Sequence, residues 1–163
     1  MSRNRGLLVS VVLAGMLAAG SAHAQYKVSE IVAKGGQVMT AGQIRSEIIG
    51  SRISGMTENG FQFELELGKE GKVEGMVYTP RGPSGMSGTW SINGKNQICT
   101  DFTFVAWGTT AKRCNWYWKA ADEYFATNSR LDDEAAEKFV DCLMSGGKDC
   151  DGGFSVSKRS VRR

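Results

Sequence analysis

The middle of the chain alternates apolar and polar residues, the pattern of β-strands that bury one face. Residues 61–67 read Phe-Gln-Phe-Glu-Leu-Glu-Leu without exception, and this period of two predicts a strand. Residues 68–71 predict a turn, and residues 72–79 a returning strand. Further strands are predicted at residues 89–92, 97–105 and 113–120, joined by a Gly/Pro/Ser loop at 80–88, the hairpin signal Asn93-Gly94 and a turn at 108–112.

Apolar residues at helical spacing lie on both sides of this strand-rich region. Thr40 and Gln43 have the three-residue spacing of a capping box, and Gly50 occupies a position that suits a C′ glycine. Between them lies an apolar stripe, formed by Ile44, Ile48 and Ile49. These signals predict a helix over residues 41–49, and a second helix is predicted over residues 131–145, ended by two glycines.

Together these elements predict an α+β fold. We expect a mostly antiparallel sheet of about five or six strands, either a meander or a partly closed barrel, with a short N-terminal helix and a C-terminal helix. The domain would cover residues 25–154 and be stapled by disulfides. Residues 155–163 are polar, basic and without a capping signal, so we expect a disordered tail.

The first 24 residues have the three parts of a secretory signal peptide. Arg3 and Arg5 supply positive charge, residues 7–19 are apolar, and Ala22-His23-Ala24 is a small-x-small cleavage site. The alternative is a membrane anchor, but this apolar run is shorter than the roughly 20 residues that a spanning helix needs. No later segment has a long enough apolar run. We therefore expect a periplasmic or secreted protein, cleaved after Ala24.

Cleavage would remove the only histidine and lower the formal net charge from +3 to +1. A Ser-His-Asp triad and a histidine-ligated metal would then be impossible, which disfavours catalysis because histidine is the commonest general base. The small charge gives no support to nucleic-acid binding. The sequence therefore predicts a non-enzyme without a cofactor.

An exported chain with an even number of cysteines favours disulfides. Of the three possible connectivities we prefer Cys99–Cys114 with Cys142–Cys150, because each pair brackets a predicted turn. The alternative is a four-thiolate zinc site. It is disfavoured because no two of these cysteines have the short spacing of a zinc knuckle.

Aromatic residues near Cys114 are the candidate binding residues. Trp107, Tyr117 and Trp90 could form a recognition surface, since these side chains bury much area and keep a polar edge. The alternative is that Trp90, Trp116 and Trp118 belong to the core. Tyr117 would point away from Trp116 and Trp118 on a strand, which makes it the better surface candidate.

Charged groups provide weaker candidates. Glu64 and Glu66 share a strand face about 7 Å apart, which suits a glycosidase pair, although solvated hairpin charges are commoner. Residues 148–153 hold two aspartates of a calcium loop but lack its glutamate, so we interpret them as a turn. The basic tail could contact an anionic surface weakly, through Lys158, Arg159, Arg162 and Arg163.

Residues 33–124 resemble a family of small exported proteobacterial proteins that carry a domain of unknown function. The matching residues are Gly50, the Gly88-Thr89-Trp90 strand, and Cys99 and Cys114, which bracket the following hairpin. The resemblance implies export and a disulfide-bearing, β-rich fold, and it implies no activity.

The leading functional hypothesis is an exported, non-catalytic binding module that presents a sheet face and aromatic loops to a small molecule or protein in the cell envelope or outside. One alternative is an inhibitor of a hydrolase such as a cell-wall lytic enzyme, with residues 80–87 as the inserted loop. The other is a carboxylate-based hydrolase.

Overall fold

The structure, a computed structural model, describes residues 25–57, 59–127 and 155–163. Strands dominate these residues. They are β1 (Gln25–Lys27), β2 (Gln37–Val38), β3 (Arg52–Met56), β4 (Gln62–Leu67), β5 (Lys72–Thr79), β6 (Gly82–Ile92), β7 (Gln97–Phe104), β8 (Thr109–Ala120), β9 (Glu123–Thr127) and β10 (Ser155–Arg162).

Eight of these strands close into a barrel. From β3 to β10, each strand pairs antiparallel with the next one along the chain, and β10 pairs antiparallel with β3. The short strands β1 and β2 lie outside this ring, on β10 and β8 respectively. Closure leaves the ring without a free edge, which is the usual solution for an antiparallel sheet of this size.

The predicted α+β fold with five or six strands is therefore wrong. Pattern reading missed the strands whose residues look like loop or tail. Glycine and serine fill the first part of β6, and β10 carries the basic residues that suggested a disordered tail. These strands form because their backbones complete the ring, a non-local requirement that local composition does not record.

The helical structure between β1 and β3 is short. The first helix, α1, covers Val28–Ala33, and the second, α2, covers Ala41–Gln43 and continues as a π-helical turn over Ile44–Ile48. The predicted capping box is confirmed: the Gln43 amide donates to the Thr40 hydroxyl, and the Gln43 side-chain oxygen accepts from the Thr40 amide. Gly50 follows with φ of +79°. The predicted helix over residues 131–145 lies outside the described residues.

The π-helical turn closes one end of the barrel. Ile44 and Ile48 are fully buried in the main apolar cluster, together with Met39 from the segment that precedes α2. The Met39 amide donates to the Tyr117 carbonyl at 2.8 Å, and the Ala41 amide donates to Asn96 Oδ1 in the β6–β7 turn. This closed end therefore has its own hydrophobic filling.

A second apolar cluster lies outside the barrel, beneath α1. Val28 and Ile31 of α1 pack there with Trp118, Phe125 and Val156 from the neighbouring strands β8, β9 and β10. These strands are thus buried on both faces, which explains why their sequences lack a clean alternation of apolar and polar residues.

Candidate functional site

The end of the barrel opposite α2 contains a cavity of about 350 Å³. Its walls are the inward-facing positions of the strands, which recur at every second residue. On β4, β7 and β8 these positions are Phe63, Leu65 and Leu67; Ile98, Thr100, Phe102 and Phe104; and Ala111, Arg113, Asn115 and Tyr117. The apolar face of the alternation predicted over residues 61–67 therefore lines this cavity.

Three aromatic rings run from the cavity wall to its mouth. Phe102 and Phe104 make an edge-to-face contact with ring centroids 5.1 Å apart, and Phe104 contacts Trp107 at the same centroid distance. Trp107 lies in the β7–β8 turn and is 37% exposed. This arrangement gives an apolar molecule a continuous aromatic wall from the solvent to the interior.

Arg159 is a buried charged group inside the barrel. Its side chain is only 8% exposed and lines the cavity. Its Nη1 donates to the Met56 carbonyl at 3.3 Å and to the Lys158 carbonyl at 3.4 Å, and its guanidinium carbon lies 5.0 Å from the centre of the Phe63 ring. These contacts fix the guanidinium against one wall.

Tyr117 is the polar neighbour of Arg159 inside the barrel. Burial raises the pKa of the Tyr117 hydroxyl, and the charge and hydrogen bonding of Arg159 oppose that shift. Burial also lowers the pKa of the Arg159 guanidinium, an effect opposed by Tyr117. The pair therefore presents a hydroxyl and a desolvated cation in one place.

Positive charge exceeds negative charge among the described residues that line the cavity. Arg113 and Arg159 contribute two cations, and the described lining residues include no aspartate or glutamate. Asn115 Oδ1 is buried and has no hydrogen-bond partner among the described residues. The cavity can thus bind an apolar body and offers a few fixed polar groups that could orient it.

The structure separates the three aromatic candidates. Trp107 lines the mouth of the cavity, and Tyr117 lines its wall at 6% exposure, so the prediction that Tyr117 is a surface residue is wrong. Trp90 lies outside the cavity lining, where it packs against the main cluster and its Nε1 donates to the Gly68 carbonyl at 2.8 Å. The core interpretation of Trp116 and Trp118 is confirmed by their burial.

Sequence reasoning missed Arg159 as an interior residue. The sequence places it in a basic tail that could contact an anionic surface, but it lies inside the barrel. Of the other basic residues, Lys158 pairs with Glu123 and Arg163 donates to the Ser46 carbonyl. Val156 and Val161 are five positions apart. On a strand they would therefore point to opposite faces, so they do not indicate one apolar face. Only the closure of the ring shows which face of β10 is internal.

The disulfide Cys99–Cys114 is confirmed. The two cysteines are directly opposed in the register of β7 and β8, and neither is among the cavity-lining residues. Cys142, Cys150 and the turn at residues 148–153 lie outside the described residues, as do residues 1–24. Within the described residues, no group of three or more cysteine, histidine or acidic side chains could hold a metal ion.

Two other candidate segments lie outside the cavity or in a strand. Glu64 and Glu66 alternate with the inward-facing residues of β4, so they do not line the cavity. The loop at residues 80–87, considered as an inhibitory element, is mostly strand, because β6 begins at Gly82.

Neither helix in the described part of the chain is long and apolar enough to cross a membrane. No protein-family model, curated protein or solved structure matches this chain.

Proposed function

We propose that this protein is an exported, non-catalytic binding module that holds one small, largely apolar molecule inside its barrel. The observation that supports this proposal best is the asymmetry of the interior. One end is filled by Met39, Ile44 and Ile48, whereas the other retains a cavity of about 350 Å³.

The size of the barrel agrees with this function. An eight-stranded barrel has an interior that side chains can fill completely or that can hold one small ligand. Pockets for drug-sized molecules are mostly apolar and have volumes of about 300–1,000 Å³. The cavity falls at the small end of that range, which favours a compact ligand over a large lipid.

The mouth of the cavity is suited to an apolar ligand. Trp107 and Val105 in the β7–β8 turn are both exposed, and Val105 is 65% exposed. Exposed apolar groups cost solubility, so their position beside the entrance supports a role in ligand entry.

The proposal is tested with a neutral fluorescent probe, N-phenylnaphthylamine, titrated into the purified protein. We expect saturable binding at one probe per chain, with increased fluorescence. Ala111→Trp should abolish binding, because Ala111 lines the cavity and an indole there would occupy it. Ala106→Trp is the matched control, since Ala106 is exposed in the β7–β8 turn and is not a lining residue.

The result that would reject this function is absence of probe binding to the folded wild-type protein. Equal binding to the Ala111→Trp and Ala106→Trp variants would also reject the cavity as the site. Circular dichroism on both variants establishes that the barrel has formed.

Export is a separate part of the proposal and rests on the composition of residues 1–24. The intact mass of protein recovered from the exported fraction should correspond to a chain that begins at Gln25. A mass that includes residues 1–24 would contradict cleavage after Ala24.

A further inference from the structure

We propose that the ligand is an anionic amphiphile, a compact apolar molecule with one carboxylate that pairs with Arg159 inside the barrel. This inference rests on the proposed function and specifies the chemical class of the ligand. The apolar part would lie along the Phe102–Phe104 wall, and the carboxylate would lie between Arg159 and Tyr117.

The first argument is the cost of a buried cation. Removing a charge from water is expensive unless a counter-charge or a full set of hydrogen bonds replaces the water. Arg159 has five N–H donors. Its Nη1 donates to the carbonyls of Met56 and Lys158, and it also interacts with the Tyr117 hydroxyl, so all of these partners are neutral. No described carboxylate forms an ion pair with it. A ligand carboxylate would supply the missing negative charge.

The second argument is that the guanidinium is already positioned. Contact with the Phe63 ring and with two backbone carbonyls restrains Arg159 before any ligand arrives. An arginine held in this way can form two parallel hydrogen bonds with a carboxylate at little further entropic cost. The Tyr117 hydroxyl keeps its proton, because burial raises its pKa, and it can donate a third hydrogen bond.

The third argument is the sign of the charge in the lining. The described lining residues contain Arg113 and Arg159 and no acidic side chain. A cationic ligand would be repelled inside this low-dielectric space, and a neutral ligand would leave Arg159 without a counter-charge. An anion is the class that these residues favour.

The test compares decanoic acid with decanol at neutral pH. These molecules share an apolar chain and differ in their head group. Each is titrated against the protein loaded with N-phenylnaphthylamine, and displacement gives its affinity. For the wild-type protein we expect decanoate to bind at least about tenfold more tightly than decanol, since a charge-assisted hydrogen-bonded pair has that effect on affinity.

Variants locate the source of the preference. Arg159→Met retains much of the side-chain volume and should remove the preference for decanoate over decanol. Arg113→Met is the matched control, because Arg113 also lines the cavity but is exposed. It should retain most of the preference. Arg159→Lys keeps the charge without the fork of donors and should give an intermediate preference.

The outcomes separate the two proposals. Equal affinity of the wild-type protein for decanoate and decanol overturns this inference and leaves the binding function standing, and that comparison requires no variant to fold. Failure of both compounds to displace a bound probe also overturns it. Loss of the preference in Arg113→Met alone would place the anion at the mouth and reject Arg159. Absence of probe binding would reject the binding function itself.

Discussion

Tyr117 and Trp118 are consecutive residues of β8, yet their side chains belong to two different apolar clusters. Tyr117 lies inside the barrel, in the cluster that includes Ile44 and Ile48, whereas Trp118 lies outside it, beneath α1. The same strand therefore supports both the cavity and the outer layer. Because the sheet wall separates the two clusters, a change in one need not alter the other.

Replacing Trp118 by alanine should destabilise the protein strongly without changing the cavity. The side chain is fully buried among Ile31 and Phe125, and its loss should reduce the free energy of unfolding by about 3–5 kcal/mol. Trp107→Ala is the control, since Trp107 is partly exposed at the mouth and should cost about 1 kcal/mol at most. Urea unfolding measures both values.

In a ligand-binding assay the larger effect should come from Trp107→Ala and not from Trp118→Ala. Trp107→Ala should weaken binding of N-phenylnaphthylamine, because it removes one end of the aromatic wall, whereas folded Trp118→Ala should bind the probe as the wild type does. Equal stability losses for the two variants, or normal probe binding by Trp107→Ala, would contradict the division of the aromatic residues into an outer layer and a cavity wall.

The Cys99–Cys114 disulfide should stabilise the barrel by restricting the unfolded chain. The two cysteines are 15 residues apart, and neither lines the cavity, so removing both should leave the binding site intact. Loop-closure entropy predicts a loss of about 3 kcal/mol in the free energy of unfolding. The double variant Cys99→Ala/Cys114→Ala, compared with the wild type in urea, measures it. A loss of probe affinity in this variant while folded would contradict the expected independence of the disulfide and the cavity.

The hydrogen bonds of Glu47, which lies in the π-helical turn, should make the free energy of unfolding depend on pH. Its Oε2 accepts hydrogen bonds from Lys119 Nζ at 2.6 Å and from the Tyr124 hydroxyl at 2.7 Å. The Lys119 bond is the main cause that holds the pKa of Glu47 below its ordinary value of 4.5. A carboxyl group with a lowered pKa stabilises the fold above its unfolded pKa, and this stabilisation is lost as the pH falls below about 4.5 toward the folded pKa.

Glu47→Gln should therefore reduce the free energy of unfolding by about 1 kcal/mol at neutral pH and by much less at about pH 3. Glu70→Gln is a matched control. Glu70 Oε2 lies 3.8 Å from Lys72 Nζ, and both side chains are exposed, so this substitution should have no measurable effect on stability. Urea unfolding of the three proteins at both pH values tests this. A difference between Glu47→Gln and the wild type that persists unchanged at low pH would show that the carboxylate charge is not its source.

The parts of the fold that could be predicted are those whose local pattern matches their environment. Strands β4 and β5 have strict or near-strict alternation and one apolar face, and they were placed to within one residue. The capping box at Thr40 was readable because it is a local hydrogen-bonding motif. The position of the hairpin between β6 and β7 is also predicted by the Asn93-Gly94 signal. The residue of this turn with a positive φ, however, is Asn96 and not Gly94.

The cavity could not be predicted, because its residues come from strands across the whole ring. Phe102, Phe104 and Tyr117 look like ordinary core or surface residues when their strands are considered separately. Arg159 is harder still, since arginine is almost never fully buried without a partner. A sequence pattern therefore places it outside, and only the closed ring shows that it points inward.

Gly88 shows why a glycine-rich stretch forms part of the barrel wall. A Cβ atom at this position would lie 2.6 Å from Phe102 Cα and would also meet the Asp101 carbonyl, because β6 and β7 approach closely there. Gly88→Ala should therefore force the two strands apart and cost about 1–3 kcal/mol of stability. Gly94→Ala is the matched control, since a Cβ there meets nothing within 4 Å; its effect should stay within about 0.5 kcal/mol. Because Gly88 of β6 pairs with Phe102 of β7, which lines the cavity, Gly88→Ala should also weaken binding of N-phenylnaphthylamine, which Gly94→Ala should leave unchanged. Equal stability for the two variants would mean that the close approach at Gly88 relaxes without cost, and that glycine is not required for closure at this point of the ring.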